Sequence, residues 1–253
     1  NGASVTDTIT ATITGTNEAP TVSTPAVDPS INEAADASAQ ALNESGTITF
    51  ADAEDTNLTI TGAASATVTA GSGVSVPSDL QTALAAAFSV TDNNDNTAGW
   101  TLNDTDLDLD FLAAGQTITL AYVVTATDDN GASVTDTITA TITGTNDAPT
   151  SADVTFTINE GATKIFNDGN FPYDDVDGDA FRRIKITALP DAGSLVFGNA
   201  DAFVGQEFNH GHQHNLNFTP DANGNGDSYA AFQIQVADYN MAWSESAYTI
   251  TID

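Results

Sequence analysis

Apolar and polar residues alternate with a period of two along much of this chain. Between residues 5 and 14, Val5, Asp7, Ile9, Ala11 and Ile13 fall on one face, and Thr6, Thr8, Thr10, Thr12 and Thr14 on the other. Period-two alternation of β-branched residues predicts a half-buried strand. Asp7 interrupts the apolar face near one end, where a carboxylate can reach solvent. The alternation returns at 117–127, 154–158, 184–189, 230–238 and 247–252. Clusters of Gly, Asn, Asp and Pro separate these runs, which predicts an all-β fold of sandwich type. Residues 78–88 differ. Leu80, Ala83, Leu84, Ala87 and Phe88 share a helical face, and Ser78 stands at the N-cap position, predicting a turn or two of helix.

The chain repeats itself. Residues 1–21 read NGASVTDTITATITGTNEAPT, and residues 130–150 differ only in carrying Asp147 where the first copy has Glu18. The offset between Asn1 and Asn130 sets the length of one unit at 129 residues. This predicts three pieces: a terminal strand of a preceding unit (1–17), a full unit (18–147) and a different last domain (148–253). The linkers NEAP and NDAP are short, and Pro20 and Pro149 stiffen them. The first residues resemble the middle of a domain, so the chain reads as an excerpt of a longer protein.

Charge narrows the function. There are 35 Asp and Glu against 4 Lys and Arg, for a formal net charge of −31. The four cations, Lys164, Arg182, Arg183 and Lys185, all lie after residue 163. Such a polyanion is repelled by nucleic acid and by anionic membranes. Its natural counter-ion is a hard cation, and carboxylate oxygens are what calcium prefers. No cysteine is present to staple the fold, which makes metal a candidate stabiliser. No apolar run approaches a membrane span. There is no G-x-S-x-G, no H-E-x-x-H and no phosphate-binding glycine loop. The abundant acids single out no catalytic pair, so the chain reads as a non-enzyme.

The stretch LAAGQTITLAYVVTATDDNGASVTDTITATITGTNDAP at 112–149 closely resembles the end of the VCBS repeat of giant bacterial surface proteins. Many of these are RTX-type adhesins exported by type I secretion. Residues 148–253 resemble the bacterial cadherin-like domains that follow such repeats, through FPYDDVDGDAF, ITALPDAGSL, LNFTPDANGNGD and FQIQVAD. The resemblance implies tandem immunoglobulin/cadherin-like β-sandwich domains joined by short linkers. It also implies calcium at the junctions, secretion to the bacterial cell surface, and a role in adhesion and biofilm formation.

By this analogy Asn17-Glu18 and Asn146-Asp147 are linker ligands, because cadherins use an acidic, Asn-rich linker before Pro. Calcium wants six to eight oxygens, more than a four-residue linker supplies, so flanking acids are needed. The loop Asp174-Asp175-Val176-Asp177-Gly178-Asp179 and its counterpart Asp52-Ala53-Glu54-Asp55 both contain acid-x-acid, which places two carboxylates on one side of an extended segment. The cadherin pattern adds Asp128 and Asp238 after long core strands, and Glu33 early in the unit. Asn17, Glu18, Asp52, Glu54 and Asp128 are then expected to converge on the first junction. Glu33, Asn146, Asp147, Asp175, Asp177, Asp179 and Asp238 are expected at the second. Glu160 would face a further domain. The cadherin Asp-Arg-Glu element is not visible, which leaves the number of ions open.

Other acidic and histidine-rich stretches have plainer readings. The stretch Asp221 to Asp227 resembles the start of an EF-hand loop but has Phe232 where the bidentate Glu belongs, so it reads as a turn. Asp104, Asp106, Asp108 and Asp110 read as a solvent-facing row with Leu107 and Leu109 in the core, with peripheral calcium as the alternative. His210, His212 and His214 would share a face if extended and could then hold a transition metal, but they read better as an exposed loop. A rival reading makes the last domain a calcium-dependent carbohydrate- or peptide-binding module. It holds every Lys and Arg together with Phe171, Tyr173, Phe181, Tyr239 and Trp243. The partners expected are thus calcium ions, neighbouring repeat domains, and a surface, glycan or protein target reached through other domains.

Overall fold

A computed structural model describes residues 1–35 and 39–253. In the full unit the strands are β1 (Thr21–Thr24), β2 (Ser30–Asn32), β3 (Gln40–Ala51), β4 (Thr59–Gly62), β5 (Thr67–Ala70), β6 (Phe88–Asp92), β7 (Thr97–Leu107), β8 (Thr117–Thr127) and β9 (Ser133–Thr143). One sheet runs β1-β3-β7-β6, and the other runs β2-β9-β8-β4 with β5 also on β8. After residue 148 the strands are β10 (Val154–Phe156), β11 (Lys164–Ile165), β12 (Arg183–Ala188), β13 (Ser194–Phe197), β14 (Ala200–Asp201), β15 (Glu207–Asn209), β16 (Leu216–Thr219), β17 (Ala230–Ala237) and β18 (Tyr248–Ile252). They form sheets β10-β18-β17-β12-β15 and β11-β16-β13-β14.

Each pair of sheets closes on its own core. One cluster of buried residues runs from Leu42 to Ile142, the other from Phe166 to Ile252. The period-two pattern decides what enters. On β9, Ile138, Ala140 and Ile142 are buried, and on β8 so are Ile118, Leu120, Tyr122, Val124 and Ala126. Each large apolar side chain so buried contributes about 1.5–3 kcal/mol. The opposite face of this sheet is hydroxyl-rich. Thr117 pairs with Thr143, Thr119 with Thr141 and Thr125 with Thr135. Thr59, Thr61, Thr67 and Thr69 continue the row on β4 and β5, and no charged side chain points outward from these strands.

The two sandwiches share an entry. In the first, β1 pairs antiparallel with β3, and the chain then crosses to run parallel to β9 as β2. In the second, a bridge between Thr150 and Asp174 takes the place of β1–β3, and β10 then runs parallel to β18. This entry sets each linker beside the loop that follows the first core strand.

Two local expectations need correction. The helix α1 spans Ser78–Ala86, with Pro77 at the N-cap and no side-chain cap, so Ser78 is the first helical residue and not the cap. Leu80 and Leu84 are buried as the pattern predicted. Phe88 instead opens β6 and stacks on Tyr122 at 4.0 Å. The Tyr122 hydroxyl donates to the Leu84 carbonyl at 2.9 Å, fastening the helix to β8. Residues 1–17 form no strand here, and Val5, Ile9 and Ile13 are 93%, 94% and 94% exposed. The same residue types at 133–143 form β9 because β8 lies just before them, and the first copy has no such neighbour in this sequence.

Candidate metal centres

The linker residue Asp147 lies between two groups of carboxylates. On one side, Glu33, Asp110 and Asp147 bring oxygens within 4.8 Å of one another, and on the other Asp175, Asp177 and Asp179 do the same. Glu33 and Asp147 are buried, at 3% and 2% exposure. At an effective dielectric near 20, two like charges at this distance repel by roughly 3–4 kcal/mol. Backbone geometry holds them together nonetheless. The Thr145 N–H donates to Glu33 Oε2 at 2.7 Å, and the Thr145 hydroxyl to the same oxygen at 3.0 Å. The Asp147 N–H donates to Asp177 Oδ2 at 2.9 Å, and the Asp179 N–H to Asp175 Oδ1 at 2.9 Å. Gly178, at φ +78°, makes the turn that folds this loop back.

Asp238 follows β17 and is fully buried. Its Oδ1 accepts the Ala242 N–H at 2.9 Å, and its Oδ2 accepts Asn146 Nδ2 at 2.7 Å. Asn240 Nδ2 reaches both Asn146 Oδ1, at 2.7 Å, and Asp179 Oδ2. The second junction thus gathers Glu33, Asn146, Asp147, Asp175, Asp177, Asp179 and Asp238, the residues expected there.

The first junction repeats this pattern with substitutions. Asn17 Nδ2 donates to Asp128 Oδ2 at 2.8 Å, as Asn146 does to Asp238. The Glu18 N–H donates to Glu54 Oε2 at 3.2 Å, as that of Asp147 does to Asp177. Asn130 Nδ2 donates to Asn17 Oδ1 at 2.7 Å, as Asn240 does to Asn146. Asp52 Oδ1 accepts the N–H groups of Glu54 and Asp55 at 2.9 and 2.8 Å, and Asp55 Oδ2 accepts that of Asp129 at 2.8 Å. Hydrogen bonds thus link Asn17 to Asp128 and Glu18 to Glu54, with Asp52 beside Glu54, but among the described residues no three acids of this junction bring oxygens within 4.8 Å of one another, as those of the second junction do.

Burial raises the pKa of Asp177 to about 6, with the Asp147, Asp175 and Asp179 charges adding to it. Burial also raises those of Asp175 and Glu33, the latter helped by Asp147 and Asp110. Asp128 runs the other way. The amide of Asn17 and the N–H groups of Ala132 and Asn130 hold it below the usual carboxylate range.

These residues fit a hard cation. Glu33 Oε1, Asp177 Oδ1 and Asp52 Oδ2 are buried atoms with no hydrogen-bond partner. Buried carboxylate oxygens without donors are costly unless a cation faces them. The donor set is all oxygen, which suits calcium and not a thiophilic metal.

Sequence reasoning missed four contributors. Asn130 and Asn240 carry a visible signal, Asp-x-Asn after the long core strand, which occurs in both sandwiches. Asp55 forms part of the first junction's hydrogen-bonded frame. Asp110 belongs to the row whose pattern predicts a solvent-facing strand edge, with peripheral calcium as the alternative, and not a junction position. Strand β7 ends at Leu107, and the turn that buries Leu109 carries Asp110 into the junction beside Glu33. The histidines do not converge. β15 ends at Asn209, the His210 ring lies 4.6 Å from that of Phe181, and the His212 and His214 rings are 6.3 Å apart. Asp221 opens a turn, as expected, its carbonyl accepting the Gly224 N–H at 2.9 Å, and its Oδ2 accepts the Gly193 N–H of a neighbouring loop at 3.0 Å. Glu160 lines a cleft with Asp227 and Asp253.

Two β-sandwiches in tandem, each entered by a strand that crosses between sheets, define an immunoglobulin/cadherin-like architecture. Residues 146–251 match the family described as Bacterial Ig domain. No curated protein matches the chain. Among solved structures it is similar to protocadherin Gamma B2 extracellular cadherin domains 3–6, at 14% identity and a TM-score of 0.47, over 94% of this chain and 51% of that one. It is also similar to the protocadherin gammaB7 EC3–6 cis-dimer structure, at 14% identity and a TM-score of 0.45, over 93% and 49%. The human Desmocollin-1 ectodomain matches at 15% identity and a TM-score of 0.34, over 94% and 38%. The chain thus spans about half the length of the protocadherin chains it matches. Among the described residues, no helix is long and apolar enough to cross a membrane.

Proposed function

We propose that this chain is a calcium-rigidified extender segment of a secreted bacterial surface adhesin of the VCBS-containing, RTX type. In this reading residues 1–17 close a preceding unit, 18–147 form one repeat and 148–253 a cadherin-like domain. The observation that carries it is the position of Asp147. The linker acid lies between Glu33 of one sandwich and Asp177 of the next, with buried oxygens facing it from both sides. A cation there neutralises the cluster and ties both sandwiches to the linker at once, fixing the angle between them. Repetition of such joints makes a stiff rod that holds an adhesive domain away from the cell. Low calcium inside the cell leaves the acids unneutralised before export.

The test is a thermal melt with and without millimolar calcium. A ligand that binds only the folded state stabilises by about 2.7 kcal/mol per site at a hundredfold excess over Kd. A rise in Tm with calcium that magnesium does not reproduce is the expected result. An unchanged Tm would reduce the acids to a solubilising surface.

A further inference from the structure

Four cations stand against 35 acids in this chain, and three of them lie together at Arg182, Arg183 and Lys185. In so acidic a molecule each cation has ample opportunity to pair. Among the described residues, however, the one ion pair is Arg183–Glu207, at 3.0 Å. Lys185 has its ammonium 4.3 Å from the centre of the Trp243 ring, and Arg182 has its guanidinium 4.9 Å from that of Tyr239. A cation over an aromatic face keeps N–H donors available for an oxygen ligand.

The register puts these groups on one surface. Lys185 lies opposite Gln235 of β17 and Glu207 of β15, and Arg183 lies opposite Asn209. Ile184 and Ile186, between them, are buried, so Arg183 and Lys185 point outward. Gln233 continues the row and lies opposite Thr249 of β18. Trp243 bridges to Ala237 at the end of β17, and Gln235 Nε2 donates to the neighbouring Ser244 carbonyl at 2.7 Å. The result is an outward sheet face of amides and hydroxyls with a tryptophan at one end. On the strands of this face Arg183 and Lys185 stand against Glu207, with Glu245 exposed two residues beyond Trp243, in a chain of net charge −31.

We infer that this face of β12, β15 and β17, with Trp243, is a docking site for an acidic polysaccharide built of uronate sugars. The chemistry matches group by group. A uronate carboxylate suits the Lys185 ammonium and the remaining Arg183 donors. The sugar hydroxyls suit the amides of Gln233, Gln235 and Asn209, and a pyranose C–H face suits an aromatic ring. A protein partner would need an apolar pocket for its anchors, and this face is an open sheet surface of polar side chains. Lys185, which is in no ion pair among the described residues, favours an anionic ligand over a neutral glycan.

The test titrates the full chain with a uronate oligomer, a galacturonate or guluronate hexamer, by calorimetry in chelator at physiological salt. Chelator removes calcium bridging between ligand and protein carboxylates, so the outcome does not depend on the junction sites. Binding is expected with the uronate hexamer and not with a neutral glucan hexamer. Lys185→Gln and Trp243→Leu should each weaken it about tenfold or more. Lys164→Gln, on β11 of the other sheet, should leave it unchanged. Trp243→Phe should recover part of the loss, and unchanged melting curves would show that the variants fold. The inference is overturned by absence of binding in chelator, or by binding that Lys185→Gln leaves intact. Self-association abolished by Lys185→Gln, with no uronate binding, would overturn it in favour of a second copy as the occupant.

Discussion

The backbone N–H of Asp147 donates to Oδ2 of Asp177 at 2.9 Å, joining the linker to the first acidic loop of the second sandwich. The donor is main chain, so this contact survives replacement of the Asp147 side chain. Asp147→Ala should therefore keep both cores intact and remove one carboxylate from the group it forms with Glu33 and Asp110. In calcium, small-angle scattering should show a broader distribution of inter-domain distances for the variant than for the parent. Superimposable profiles would argue against Asp147 as the joint.

Asp177 sets a pH dependence. Its carboxyl titrates near 6 in the folded chain, above the usual value of 3.8. The folded state then binds more protons than the unfolded one between these values, and stability falls as pH rises through that window. Without metal, Tm should increase as pH is lowered from 7 toward 5, and Glu33 and Asp175 shift in the same direction. Asp128 works oppositely, but its lowered pKa costs stability only as pH falls below the ordinary carboxylate range. Calcium should reverse the trend, because bound metal requires the ionised carboxylates and protons compete with it. Melts across pH with and without calcium check both signs.

Gly144 precedes the second linker. A Cβ there would overlap the carbonyl oxygens of Leu112 and Ala113, which are backbone atoms with little freedom to retreat. Its own N–H donates to the Gln116 carbonyl at 2.8 Å, and its carbonyl accepts the Gly115 N–H at 3.0 Å. Gly144→Ala should cost about 1–3 kcal/mol or more, read as a lower denaturant midpoint.

Much of this architecture was legible from the chain because burial follows alternation. β8 is bounded as the pattern gave it, and Ile118, Leu120, Tyr122, Val124 and Ala126 are the inward residues. The grouping of acids near the linkers was legible because two unlike sandwiches place acids at matching offsets from matching strands. Asp110 was not, because its placement depends on where β7 stops, and alternating Asp and Leu continue past that point without a break. Asn130 and Asn240 act by reaching across to a linker more than ninety residues away in sequence. Residues 1–17 show the limit of pattern alone, since a strand is completed by its partner and not by its own alternation.

Tyr122 offers a test of the helix anchor. Its hydroxyl is buried, and burial holds the phenol well above its ordinary range, so it acts as a neutral donor to the Leu84 carbonyl. Tyr122→Phe should cost about 1 kcal/mol, with the m-value unchanged. A larger loss would mean that the helix detaches when the hydroxyl is removed.

The threonine rows of β8 and β9 bear on how neighbouring molecules meet. Eleven strand residues span about 37 Å at about 3.4 Å per residue. The Debye length at physiological salt is about 8 Å. The middle of this flank therefore lies outside the ion atmosphere of either junction. Two copies approaching side by side there meet threonine hydroxyls, the Val123 side chain and the single carboxylate of Asp28, which accepts the Thr139 N–H, whereas copies approaching at their joints meet clustered acids.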